Sequence, residues 1–146
     1  MMEAKEMWER FSKKNNLKET KYEAWAFGGN PDKLAELVLQ GVKTGTASAF
    51  ALYEIEGEQL PKEGDYSVIL DISNEAKCII QTTKVYIVPF DEVSESHAYK
   101  EGEGDRSLAY WRRVHEEFFG DCLQEVEVDF SSTMQVVCEE FKVVYQ

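Results

Sequence analysis

Three runs of β-branched and aromatic residues limit the folds that are open to this chain. They lie at about 66–72 (YSVILDI), 77–88 (KCIIQTTKVYIV) and 134–145 (MQVVCEEFKVVY). This composition is typical of β-strands. The first two runs are too close together to enclose a crossover helix, so they predict neighbouring antiparallel strands rather than a βαβ unit. We expect the last run to lie in the middle of the sheet.

Helical patterns alternate with these runs. They fall at 3–14, between Asn30 and Gly41, at 91–101, and at 105–119 with Gly120 as the stop. The second has the clearest punctuation, because Asn30 can cap it and Pro31 suits its first turn. Shorter strand-like pieces are expected at 22–27, 48–56 and 124–130. The pattern predicts an α+β fold, in which a mostly antiparallel sheet curls into a small barrel with flanking helices.

Length and composition predict one globular domain over residues 1–146. The chain has 146 residues, of which 43% are apolar and 12% aromatic. Its beginning, MMEAKEMWER, is charged, and no apolar run approaches the roughly 18 residues of a membrane span. We therefore expect a cytoplasmic protein without a membrane partner. Three widely spaced cysteines without a C-x-x-C pair indicate reduced thiols rather than a disulfide framework.

The charge of the chain favours a small ligand over a long nucleic acid. The formal net charge is −12, with 28 acidic residues against 16 basic ones. Proteins that bind a long phosphate backbone cluster their lysines and arginines, whereas the basic residues here are scattered. A local basic cleft is still compatible with this composition.

The stretch QGVKTGTAS, residues 40–48, places a lysine three residues before a threonine at a helix-to-strand turn. A threonine hydroxyl becomes a nucleophile when a neighbouring group holds its proton, and the amine of Lys43 could do this for Thr46. Many surface turns contain the same residue types. On spacing alone, a plain turn is the better interpretation.

A second candidate is Glu101, which precedes the glycine-containing loop 102–105. A carboxyl group at such a hinge can act as an acid or a base, and the loop could be a lid. An exposed acidic loop on an acidic protein is the simpler interpretation of the local sequence.

The two histidines, His97 and His115, make a sparse set of metal ligands. Neither belongs to an H-E-x-x-H pattern, so we expect no metal and no other cofactor. His115 is expected to pack with Trp111 on one helix face. Phe27 borders a Gly-Gly turn, where it could stack on a base, although aromatic residues at strand spacing usually belong to the core.

Taken together, several stretches resemble the ASCH family of small domains with a PUA-like β-barrel, and most of all its bacterial YhfF-type branch. They are GVKTGTAS, LPKEGDYSVILDI and QTTKVYIVPFDEVSESHAYKEGEGDRSLAYWRRVHEEFF. The resemblance runs from about residue 22 to the C-terminus. It implies a ligand cleft and a role in binding RNA or nucleotides.

One branch of that family, the YqfB-type proteins, consists of amidohydrolases that remove the acetyl group of N4-acetylcytidine. By similarity, Thr46 is the nucleophile, Lys43 its activating base, and Glu101 an acid/base group. The YqfB-type proteins have an arginine where this chain has Ser48, and the loop around Glu103-Gly104-Asp105 is longer here.

These features lead to the expected ligand contacts and to competing functions. The residues expected to contact the ligand are Phe27, Ser48, Asp105 and Arg106. The leading interpretation is a hydrolase of acylated nucleosides, whose partner is a small nucleoside or nucleotide. The alternative is a non-catalytic RNA-binding module with a basic strip formed by Lys43, Lys84, Lys100, Arg106, Arg112 and Arg113. A third is an interaction domain with a vestigial site.

Overall fold

The computed structural model of the protein describes residues 1–17 and 20–146. Its helices are α1 (Ala4–Lys14), α2 (Pro31–Leu39), α3 (Phe50–Glu56), α4 (Glu95–Glu101) and α5 (Leu108–Gln124). Its strands are β1 (Tyr22–Trp25), β2 (Gly45–Ala49), β3 (Tyr66–Leu70), β4 (Ala76–Pro89) and β5 (Gln135–Tyr145). Among the described helices, none has the length and apolar character that crossing a bilayer requires.

The strands form one five-stranded sheet in the order β1-β3-β4-β5-β2. β1 runs parallel to β3, and the other three neighbouring pairs are antiparallel. The α+β class and the mostly antiparallel sheet are therefore confirmed, and β5 lies inside the sheet as expected. The predicted barrel is wrong, because β1 and β2 lie at opposite edges of the sheet and do not pair.

Helices cover both faces of this sheet. α2 packs near Ile69 of β3, whereas α1 packs near Val68. Because successive residues of a strand point to opposite faces, α1 and α2 lie on opposite sides of β3. A third cluster joins Trp111 and Phe119 of α5 to Val136 of β5. Burying these side chains on both faces holds the sheet between its helices.

The strand predicted at 48–56 is wrong beyond Ala49, where helix α3 begins. The local sequence alternates apolar and acidic residues from Tyr53 to Glu56, which imitates a half-buried strand. Ile55, however, is 49% exposed and belongs to none of the core clusters that the described residues form. A left-handed Gly57 with φ +69° ends the helix.

The strand predicted at 124–130 does not form either. α5 continues past Gly120 to Gln124, so Gly120 lies inside the helix and is not its stop. The next residues turn back on the helix, with the backbone N–H of Val128 donating to the carbonyl of Leu123. Apolar and acidic residues do alternate in this segment, but its backbone N–H groups donate to carbonyls at the end of α5 instead of pairing with a strand.

Helix α4 is shorter than the predicted helix at 91–101. A separate 3-10 turn occupies Phe90–Glu92, and α4 begins only at Glu95. The side chain of Ser94 caps α4 by accepting a hydrogen bond from the backbone N–H of His97. Gly102, with φ +75°, ends α4 directly after Glu101.

Gly102 should be far more sensitive to substitution than Gly57, although both end a helix with positive φ. A Cβ at Gly102 would lie 2.5 Å from the carbonyl oxygen of Val42, whereas a Cβ at Gly57 would meet no atom of residues 1–17 or 20–146 within 4 Å. We expect Gly57→Ala to cost about 1–2 kcal/mol from the left-handed backbone alone. Gly102→Ala should cost clearly more, as measured by urea unfolding. Equal losses would contradict the close approach at Val42.

Candidate functional site

A cleft of about 1490 Å³ opens between the two edge strands, where a closed barrel would have joined them. Its lining includes the whole of β1 and most of β2, with contributions from α2, α3 and α5. Of the residues singled out in the sequence, Lys43, Thr46, Glu101, Phe27 and Ser48 line this cleft. Segments far apart in the chain thus meet around one space.

Lys43 is buried, with only 1% of its surface exposed. Its Nζ lies 3.0 Å from Glu103 Oε2 and 3.4 Å from Glu101 Oε1, and it also donates to the backbone carbonyl of Glu101 at 3.3 Å. An ammonium has three N–H donors, and here each has an acceptor. The lysine is therefore held as a charged group between two carboxylates.

Glu101 lies in the same buried position and is surrounded by donors. Its Oε2 accepts hydrogen bonds from His97 Nε2 at 2.7 Å and from Trp111 Nε1 at 2.5 Å. The spacing of His97 and Glu101 on α4 brings the two side chains to one helix face. On the other side, His115 Nε2 lies 3.5 Å from Glu101 Oε1.

This environment keeps Glu101 ionised. Burial raises the pKa of the Glu101 carboxyl, but the charge of Lys43 and the hydrogen bonds from His115 and His97 outweigh burial. The pKa therefore lies well below its usual range. Glu101 can accept a proton or hold a cation, whereas it carries no proton to donate near neutral pH.

His115 connects this site to α5. Its ring stacks on Trp111 at 4.1 Å between centroids, in agreement with the expected packing. Its Nδ1 donates to the carbonyl of Trp111 at 2.9 Å. Burial lowers the pKa of His115, but Glu101 and the Trp111 carbonyl favour the charged form more strongly, so the pKa is raised.

Glu101, Glu103 and His115 are close enough to share a cation, since their ligand atoms lie within 4.8 Å of one another. The ammonium of Lys43 already contacts both carboxylates of this group. A metal ion would have to displace that ammonium and leave it buried without its partners. The residues present therefore fit the lysine better than a metal.

Thr46 lies on β2 and is half-buried at the cleft wall. In the antiparallel pair of β2 and β5, Thr46 lies directly opposite Glu139. Opposed residues project from the same face of a sheet, so these two side chains are neighbours. Ser48, two residues further on, is 2.7 Å from the hydroxyl of Tyr53.

Phe27 is buried, with 5% of its surface exposed. It packs in the core cluster under α2, and the Nζ of Lys43 lies 5.2 Å from the centre of its ring. Trp25 stands edge-on to it at 4.9 Å and is the more accessible of the two rings. Phe27 thus forms the cleft floor near Lys43, and Trp25 offers more free surface.

Asp105 and Arg106 are placed differently from the other predicted contacts, because neither lines the cleft. Asp105 accepts a hydrogen bond from the backbone N–H of Ser107, before α5. Arg106 stacks on the ring of Tyr99 at 3.6 Å and donates to the carbonyl of Val42. Both side chains organise the loop between α4 and α5.

The basic strip considered for RNA is divided in the structure. Lys43 is buried and paired, Lys100 forms an ion pair with Glu140 at 3.1 Å, and Arg112 donates to the carbonyl of Asp91. Much of the positive charge is therefore already engaged within the protein.

Glu139 lines the cleft but was not predicted from the sequence. Burial, and then the nearby charge of Asp65, raises the pKa of the Glu139 carboxyl to about 7. Strand alternation places Glu139 and Glu140 on opposite faces of β5 but does not tell which face borders a cleft. Tyr53 was missed because its segment was predicted as a strand.

Comparison with known proteins identifies the class of this fold. A family model described as the ASCH domain, a family with a PUA-like fold, matches residues 23–145. The chain therefore belongs to the ASCH domain family. A search of curated proteins finds no match to the chain.

Two solved structures are similar over nearly the whole chain. An ASCH domain from Lactobacillus crispatus is 30% identical with a TM-score of 0.92, covering 99% of this chain and 97% of its own. A protein from Enterococcus faecalis, of the family-model DUF984, is 39% identical with a TM-score of 0.88, covering 95% and 86%. A hypothetical protein that is 17% identical, with a TM-score of 0.57, shares the fold alone.

The buried ion pair should be essential for stability. Lys43→Met leaves the Glu101 carboxylate buried without its cation, so we expect a loss of about 3–5 kcal/mol in the free energy of unfolding. Adding Glu101→Gln should recover part of that loss, because it removes the unpaired charge. Urea unfolding of the two single variants and the double variant measures this coupling.

Lys100→Met is the matched control, since its partner Glu140 and the lysine itself are partly exposed. This substitution should cost no more than about 1 kcal/mol. Equal losses for Lys43→Met and Lys100→Met would show that burial does not strengthen the interaction.

Proposed function

We propose that this ASCH domain is a hydrolase that cleaves the amide of an acylated nucleoside, of which N4-acetylcytidine is the first candidate. The observation that carries the proposal is the convergence of Lys43, Thr46 and Glu101 on one cleft. These are the residues that the resemblance to the YqfB-type enzymes assigns to catalysis. Family membership supports a role related to nucleic acids.

Thr46 is the proposed nucleophile, because it lines the cleft on strand β2. Its Oγ1 would bond to the acyl carbon, the bond from that carbon to nitrogen would break, and the nitrogen would leave as an amine after taking up the proton given up by Thr46. Water would then release the acyl group from the threonine. Holding the amide within about 3–3.5 Å of the hydroxyl would supply much of the rate enhancement.

Lys43 is the proposed group that receives the proton of Thr46. Since all three N–H donors of Lys43 are engaged, the lysine would first pass a proton to one of its two carboxylate partners. Glu103 is the proposed acceptor because it is the more accessible, with 20% of its side chain exposed against 2% for Glu101. Glu101 then serves as the fixed anion that positions the lysine.

The charge of the cleft favours a ligand without phosphate. Six carboxylates and four lysines line it, and Lys43 and Lys62 are already paired with carboxylates. An anionic nucleotide would meet more negative than positive groups, whereas an uncharged nucleoside would not be repelled. Aromatic walls, Trp25 among them, suit a planar base.

The alternative, a non-catalytic RNA-binding module, draws on membership of the ASCH family. It predicts binding to structured RNA that weakens steeply as salt is raised. RNA binding is the second choice, because Lys100 and Arg112 already bind groups within the protein.

Hydrolysis of N4-acetylcytidine by the purified protein tests the proposal. Thr46→Ala should lower kcat by at least about 100-fold, because it removes the nucleophile while leaving the cleft open. Thr44→Ala is the matched control: its hydroxyl lies two residues away, contacts the carbonyl of Lys100, and does not line this cleft. Thr44→Ala should keep wild-type turnover.

Absence of turnover by the folded wild-type protein would argue against the hydrolase. Salt-dependent binding of RNA would then support the binding module. Failure of both assays, with Thr46→Ala and Lys43→Ala altering nothing but stability, would support an interaction domain with a vestigial site.

A further inference from the structure

Glu139 is a cleft carboxyl that the proposed reaction does not use. It lies opposite Thr46 across β2 and β5, on the face that lines the cleft. No ion pair among the described residues includes it, although ion pairs hold Lys43 and Lys62 elsewhere in the lining. A carboxyl group without a cation, beside a candidate nucleophile, is suited to meeting a ligand.

The surroundings of Glu139 favour its neutral form. The charged groups that raise its pKa are Asp65 before β3, Glu23 on β1 and Glu101 on α4, all of them acidic. Tyr53 of α3 also lies within its electrostatic influence. The Thr82 hydroxyl on β4 stabilises the charged form, but burial and the three carboxylates outweigh it, which gives a pKa of about 7.

A neutral carboxyl group presents one O–H donor and one carbonyl acceptor, whereas a carboxylate presents acceptors only. We propose that Glu139 recognises the ligand as a neutral carboxylic acid, by pairing with the edge of a heterocyclic base on which a ring-nitrogen acceptor lies beside an exocyclic N–H donor. Cytosine and adenine have such an edge on their Watson–Crick side. Guanine instead presents two adjacent donors there, and these suit a carboxylate rather than a neutral carboxyl group.

This pairing also fits the position of Thr46. In an acylated aminopyrimidine, the exocyclic nitrogen carries both its remaining hydrogen and the acyl group. A carboxyl that binds the N–H edge therefore holds the acyl carbon close by. Residues directly opposed in an antiparallel pair have Cα atoms about 4.5–5.5 Å apart, so Thr46 is within reach of that carbon.

The inference rests on the nucleoside ligand of the proposed function, and its test measures binding rather than hydrolysis. Calorimetric titration with cytidine should give a Kd about tenfold higher near pH 8 than near pH 6. Cytidine binds more weakly at the higher pH because Glu139 is mostly protonated near pH 6 and mostly charged near pH 8. Guanosine should not show this preference for the lower pH.

Glu139→Gln gives the sharpest comparison, because an amide keeps one donor and one acceptor at every pH. This variant should bind cytidine about equally well near pH 6 and pH 8. Glu140→Gln is the matched control on the opposite face of β5, outside the cleft lining, and should keep the wild-type pH dependence.

Three results would overturn the inference: no binding of cytidine, a pH dependence that persists in Glu139→Gln, or a loss of binding at both pH values in that variant when folded. Turnover is followed separately with N4-acetylcytidine. If cytidine binds with the expected pH pattern and no acyl group is released, the hydrolase proposal fails while the role of Glu139 stands.

Discussion

The buried contact between Lys43 and Glu101 is the interaction on which the arrangement of this site depends. Removing two charges from water is costly, and the cost is offset here because every N–H of the lysine has an acceptor. The carboxylate in turn accepts a hydrogen bond from Trp111 of α5. One carboxylate thus links the segment before β2, the end of α4 and the first turns of α5. Three segments that are separate in the sequence thus meet at one side of the cleft.

The interior of the sheet was predictable because its strands carry their own signal. β3, β4 and β5 are rich in β-branched residues, and the predicted bounds agree closely with the structure. Alternation misled the prediction at 48–56 and 124–130, because the pattern does not say whether a partner strand is available. Ile55 has the spacing of a buried strand residue, yet it remains exposed. Barrel closure failed as a prediction for the same reason, since it depends on pairing between distant segments.

The candidate site was predicted from resemblance rather than from local chemistry. Lys43, Thr46 and Glu101 each had a plain structural interpretation, and only the fold brings them to one cleft. Asp105 and Arg106 were expected at the ligand, but the loop that carries them turns through left-handed residues, Arg106 among them, and neither lines the cleft. Glu139 escaped notice because a strand pattern assigns two faces without saying what each face meets.

The open sheet makes the width of the cleft adjustable. Among the described strands, β1 is hydrogen-bonded to β3 alone and β2 to β5 alone, so each cleft wall has one neighbouring strand. A strand with one partner separates from its sheet at a lower free energy than a strand with two. The cleft walls are therefore the least constrained part of the sheet, while its bottom rests on the buried Lys43 and Phe27. A molecule in the cleft that contacts both β1 and β2 would connect the two edge strands, which do not pair with each other. The sheet would then become more rigid when the cleft is occupied.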